Sequence, residues 1–141
     1  MDLTDFELSI PRYIALLESS LIDYLRTVGV ESEPGEPGLT GVWSGGEKVA
    51  AIGIKLNRSV VSHGFALNLT TDLAYFGGII PCGHPDKLAT SVEALTGRRI
   101  GTEVAARDYA KHFGSVFGVD IDWVAADRLH RPAGSLSSRG R

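Results

Sequence analysis

From Ile10 onward, apolar residues recur at three- and four-residue steps: Ile10, Ile14, Leu17, Leu21, Tyr24, Leu25 and Val28 form one stripe. Such spacing predicts an amphipathic helix over residues 9–28. Ser9 can cap its start, Pro11 is tolerated in a first turn, and Gly29 suits a left-handed stop. Arg12, Glu18, Asp23 and Arg26 fall mostly on the wet face. The pattern then changes. Residues 31–38 read Glu-Ser-Glu-Pro-Gly-Glu-Pro-Gly, a polar loop of turn formers. Leu39 to Trp43 reads as a short strand, Gly45-Gly46 as a hairpin turn, and Lys48 to Leu56 as the returning strand. A further strand runs from about Gly64 to Leu69, with Phe65, Leu67 and Leu69 on one face and Ala66 and Asn68 on the other. Asp72 to Phe76 fits a helical turn, and Gly77 to Gly83 bends tightly around Cys82.

Helical spacing returns near the end. Thr102 is the expected N-cap, Glu103 stands in the first turn, and Ala105, Tyr109, Phe113 and Phe117 would face inward. Beyond Gly118 the periodicity fades, and residues 132–141 read as a solvated, disordered tail. The order helix, hairpin, strands, helix predicts an α/β (α+β) domain with a mainly mixed or antiparallel sheet packed against helices.

Composition narrows the function. A chain of 141 residues suits one domain, and 43% apolar residues supply a core. A net charge of −3 argues against nucleic-acid binding, which runs on clustered Lys and Arg. No apolar run approaches the roughly 20 residues of a membrane span. Asp2, Asp5 and Glu7 stand where a secretory signal would be basic, which points to the cytoplasm. The single cysteine, Cys82, excludes an internal disulfide and paired-cysteine zinc sites.

A thiol needs help to act as a nucleophile, since only a few per cent is thiolate at neutral pH. A cation lowers its pKa and a base takes its proton. His63, His84, His112, His130, Lys48 and Lys55 are the available helpers. Lys48 differs from Lys55 because it opens the compact run Val49-Ala50-Ala51-Ile52-Gly53-Ile54, which suits a buried strand. A lysine there either sits in low dielectric or is an ordinary edge lysine with its head in water. Gly53 and Gly64 likewise mark either bulges or a close approach of a ligand to the backbone. The histidines do not form a metal constellation, so neither a metal nor a cofactor is expected. Asp72, Lys87, Thr90 and Ser91 read as loop polar residues, and Trp43 and Phe65 as core. Neither a Gly-rich phosphate loop nor a serine nucleophile elbow is present.

Four linked motifs carry a family resemblance: Gly41-Val42-Trp43, Lys48-Val49-Ala50-Ala51-Ile52-Gly53-Ile54, His63-Gly64-Phe65-Ala66-Leu67-Asn68, and Pro81-Cys82-Gly83. In order and spacing they resemble the octanoyltransferases of lipoate biosynthesis, from the first helix to about Phe117. The resemblance implies a cysteine/lysine acyltransferase on part of a biotin/lipoate protein ligase-like fold. It implies that Cys82 attacks the thioester of octanoyl acyl carrier protein and holds the acyl group. Lys48 would lower the thiol's pKa or shuttle its proton. The acceptors implied are lipoyl domains of 2-oxo acid dehydrogenases and the glycine cleavage H protein. Ala51, Ile52 and Gly53, with Gly64, Phe65 and Ala66, would line the acyl site.

The family's N-terminal arginine-glycine-glycine and histidine-glycine-proline-glycine stretches have no counterpart here. Residues 1–118 are therefore expected to be the C-terminal portion of the catalytic domain, and 119–141 an extension. An active transferase chain, a remnant that only binds lipoyl domain or carrier protein, and one half of a split enzyme are the three readings that follow.

Overall fold

The computed structural model describes residues 1–74 and 88–124. Helix α1 spans Ile10–Thr27, strand β1 Glu33–Pro34, β2 Val42–Ser44, β3 Glu47–Asn57 and β4 Val60–Leu67; α2 is Val92–Thr96 and α3 Thr102–Phe117. The expected stripe forms α1, where Ser9 Oγ accepts from the Arg12 N–H and Pro11 sits in the first turn. Leu17, Leu21, Tyr24 and Leu25 are buried along it. Gly29 follows the helix with φ +89°, the left-handed stop its position predicts.

The strands form one antiparallel sheet in the order β1-β2-β3-β4. Gly45 and Gly46 take φ +56° and +83°, the pair of left-handed residues that a two-residue hairpin requires. The mixed character left open by the sequence reduces, among the described residues, to a single parallel bridge between Lys48 and Ala89. β2 begins at Val42 rather than Leu39, because the Leu39 carbonyl is taken by the Trp43 indole N–H at 3.0 Å.

Other boundaries also move. β4 starts at Val60, four residues before Gly64, and a second tight hairpin joins Asn57 to Val60. No glycine marks that turn; Arg58 itself adopts φ +57°. Thr102 is the first residue of α3, not its cap: Gly101 is the N-cap, without a side-chain hydrogen bond. The short β1 arises within the expected loop 31–38, and α2 in a stretch to which the sequence pattern assigned no element.

Two apolar clusters hold the layers together. One joins Leu21, Tyr24 and Leu25 of α1 to Val42, Val49, Ala50, Val92 and Ala105. The other joins Tyr13 and Leu17 to Leu3, Val61 and Phe117. Ile52 and Phe65 pack against both, and Phe65 meets the Tyr109 ring of α3 at 4.8 Å. One face of the β3–β4 ribbon is thereby committed to the helices. Burial on this scale, at roughly 25 cal/mol per Å² of apolar surface, is the main stabilising contribution. Residues 132–141, expected to be a disordered tail, lie outside the described residues.

Candidate active site

Lys48 is the second residue of β3 and is only 5% exposed. The low-dielectric reading of this lysine is therefore the one its surroundings match. Its Nζ donates to the Thr40 carbonyl at 3.2 Å and lies 4.8 Å from the Trp43 ring centroid. A lysine amine can make both contacts, donating a hydrogen bond and standing over a π face. Gly41 sits against the lysine stem, with φ +133°, and a Cβ there would come within 2.5 Å of the Ala50 carbonyl oxygen. Only glycine gives the chain this passage. Its N–H donates to Glu18 Oε1 at 3.1 Å, so one supposedly wet-face residue of α1 fixes the turn beside Lys48.

The backbone of Lys48 pairs in parallel with the segment that follows residue 87. Its N–H donates to the Leu88 carbonyl and its carbonyl accepts from the Thr90 N–H, both at 2.9 Å. Cys82, His84 and Lys87 lie outside the described residues, as do Gly77–Gly83 and His130. In sequence, Cys82 stands six residues before the Leu88 that pairs with Lys48.

The six residues expected to line an acyl site form three consecutive cross-strand pairs: Ala51 with Ala66, Ile52 with Phe65, and Gly53 with Gly64. Directly opposed residues share a face of the sheet, and faces alternate along a strand. Ala51, Gly53, Gly64 and Ala66 thus make up a low, small-residue surface on the face away from the helices. Ala51, Gly53 and Ala66 are exposed on it. The side chains of Ile52 and Phe65 turn the other way, into the helix-facing core. They can meet a ligand on the small-residue face only through their backbone. Ala51 lies three residues from Lys48, about 10 Å along the strand.

The remaining helper candidates disperse. Lys55 is exposed opposite Ser62, and His63 is exposed on β4 with φ +66°. His112 packs edge-on to Tyr24, ring centroids 6.0 Å apart. Among the described residues no three His, Cys, Asp or Glu side chains come together in a way that could hold a metal. A groove of about 770 Å³ lies between α3 and residues 118–123, lined by Arg107, Asp108, Lys111 and Trp123 among others. It holds neither Lys48 nor any residue of the small-residue face. No helix among the described residues is long and apolar enough to cross a membrane.

Thr90 and Ser91 lie outside the helices and strands, as their loop reading expects, but are buried, each 2% exposed. Thr90 pairs with Lys48, and Ser91 caps α2 by accepting from the Ala94 N–H. Asn68, given no role by its spacing, donates from Nδ2 to the Thr90 carbonyl at 3.0 Å. The available sequence signal was its place at the end of the His63–Asn68 motif.

The chain is 40% identical over 121 residues to an octanoyltransferase of Caldicellulosiruptor saccharolyticus, covering 85% of this chain and 52% of that protein. It is 45% identical over 121 residues to an octanoyltransferase of Solibacter usitatus, covering 86% and 54%. The chain thus spans about half the length of these curated relatives. In structure it resembles a crystal structure of lipoate-protein ligase A bound with ATP, with TM-score 0.69, 13% identity, and coverage of 86% of this chain and 53% of the other. It also resembles the apo biotin protein ligase of Aquifex aeolicus, with TM-score 0.65, 17% identity and coverage of 84% and 50%. These two likenesses establish the ligase-like fold expected from the motifs. Residues 1–114 match the model of the lipoyl protein ligase A/B catalytic domain, and on that match the chain belongs to the lipoyl protein ligase A/B catalytic domain family.

Proposed function

We propose that this chain carries the cysteine and lysine of an octanoyltransferase, which moves an octanoyl group from a carrier-protein thioester to a lysine of a lipoyl domain. The observation that supports it most is the burial of Lys48 beside the segment that continues from Cys82. A lysine amine held there by Thr40 and Trp43 would, as a cation, favour thiolate over thiol.

In the reaction, the Cys82 thiolate attacks the octanoyl carbonyl, a new C–S bond forms, and the carrier's thiol leaves as thiolate and takes up a proton. The acceptor amine, in its neutral form, then attacks the acyl-cysteine, loses a proton, and releases Cys82. Thioester exchange costs little, and amide formation drives the second step forward. Ala51, Gly53, Gly64 and Ala66 would receive the unbranched chain on their open face, with Ile52 and Phe65 contributing backbone. The donor is octanoyl acyl carrier protein. The acceptors are lipoyl domains of 2-oxo acid dehydrogenases and the glycine cleavage H protein, in the cytoplasm. Residues 1–118 are the C-terminal portion of the catalytic domain, and 119–141 an extension beyond it.

The second reading is a chain that binds these partners without turnover. Incubation with octanoyl carrier protein and an apo lipoyl domain separates the two. Octanoyl-lysine on the acceptor is the expected product; stable complex formation without any transfer would favour the binding-only reading.

A further inference from the structure

The register between β2 and β3 changes once. Ser44 opposes Glu47 and Trp43 opposes Lys48, but Val42 opposes Ala50, so Val49 is an extra residue on β3. A bulge of this kind re-aims the side chains beside it. Val49 and Ala50 are both fully buried, and both pack into the cluster of Leu21, Tyr24 and Leu25. Val42 and Trp43, neighbours on β2, stand on opposite faces, and each shares its face with the residue it opposes. Lys48 is therefore on the face opposite Ala50. That is the face of Ala51, Gly53, Gly64 and Ala66. In an unbroken strand Lys48, two residues before Ala50, would have shared its helix-facing side.

One peptide unit meets the re-aimed side chain. Its carbonyl, that of Thr40, accepts from Lys48 Nζ at 3.2 Å. Its N–H, that of Gly41, donates to Glu18 Oε1 at 3.1 Å. A peptide is planar, with N–H and C=O pointing opposite ways, so fixing one end aims the other. Glycine accepts either sign of φ, and the plane before Gly41 could otherwise turn over. Drawing the N–H to a side-chain oxygen also polarises the carbonyl into a better acceptor. Glu18 sits half-buried on α1 and spans from the helix to the turn beside Lys48.

We infer that Glu18 is a positioning residue for Lys48: it sets the Thr40–Gly41 peptide, and that peptide holds the amine on the small-residue face. The inference rests on the role given to Lys48 in the proposed function. What position 18 must supply is an acceptor oxygen. Glutamine keeps that oxygen and loses the charge, while alanine and methionine suit a helix and lose both.

The test is trace acetylation of the full chain with acetic anhydride, read by peptide mapping as labelling of Lys48 relative to the exposed Lys55. Glu18→Ala and Glu18→Met are expected to raise that ratio about fivefold or more, the scale of one lost hydrogen bond. Glu18→Gln is expected to keep the parental ratio. Octanoyl transfer gives a second reading: Glu18→Ala should slow it about tenfold, the scale of a small misplacement, and should slow it no further in a Lys48→Met background. A parental ratio in folded Glu18→Ala or Glu18→Met, a Glu18→Gln ratio as high as that of alanine, or equal slowing in both backgrounds overturns the inference. Loss of fold in both Glu18→Ala and Glu18→Met, seen in their melting curves, would make Glu18 a residue of stability and overturn it as well. A parent chain that transfers no octanoyl group counts against the transferase reading, while the acetylation ratio still decides the role of Glu18.

Discussion

Gly53 lies directly opposite Gly64 in the β3–β4 ladder, and a Cβ built on either would meet no atom of the described residues within 4 Å. Neither residue has the positive φ that demands glycine. Among the described residues, nothing around them explains why two side chains are missing from the middle of a ribbon. Glycine in a strand costs conformational entropy, roughly 0.5–1 kcal/mol relative to alanine.

The pair thus separates stability from function. Gly53→Val is expected to leave the melting temperature unchanged or to raise it by a few degrees, since β-branched residues suit strands. The same variant should slow octanoyl transfer at least tenfold, because the branched side chain stands on the face assigned to the acyl chain. Thermal unfolding and a transfer assay on one preparation check both halves. A destabilised Gly53→Val would show that the glycine serves the fold.

Lys48→Met addresses the charge. Methionine preserves much of the apolar stem against Trp43. The variant should stay folded while acylation of Cys82 falls by about 10² or more, within the range that a positioned proton-transfer or charge-stabilising group supplies. Intact-mass time courses at saturating donor measure the rate. An unchanged rate would remove Lys48 from the chemistry.

Much of the scaffold was legible before any coordinates. The α1 stripe of Leu17, Leu21 and Leu25, its Ser9 cap and the Gly45-Gly46 turn are local signals, and local chemistry decided them. The hairpin at Arg58-Ser59 was not legible, because a charged residue there accepts a left-handed backbone that sequence assigns to glycine or asparagine. The short α2 and the burial of Thr90 and Ser91 were hidden for a different reason. Their partners, Lys48 and Asn68 among them, stand more than twenty residues away in sequence, so only tertiary pairing reveals their role. The burial of Lys48 is of the same kind, depending on the Thr40 carbonyl and the Trp43 ring. Its candidacy came from the family motifs, which also supplied Cys82; spacing alone left an exposed edge lysine open.

Tyr109 supplies a pH dependence. Burial, only partly offset by its hydrogen bond with Ser20, pushes its phenol up to about 12 from an ordinary value of 10. Burial also raises Tyr13 and Tyr24. The folded chain therefore keeps the Tyr109 proton where the unfolded chain has lost it. The resulting stability is fully present below pH 10 and is lost as pH rises towards 12. Melting temperature should fall across that window, and Tyr109→Phe should flatten the fall. An equally steep decline in the phenylalanine variant would place the alkaline sensitivity elsewhere.

The most direct measurement is the intact mass of the chain after brief exposure to octanoyl carrier protein, followed by peptide mapping. One octanoyl group is expected on Cys82, labile to hydroxylamine as a thioester is, and absent from Cys82→Ser. An unmodified chain, or an octanoyl group that persists in Cys82→Ser, would contradict the account.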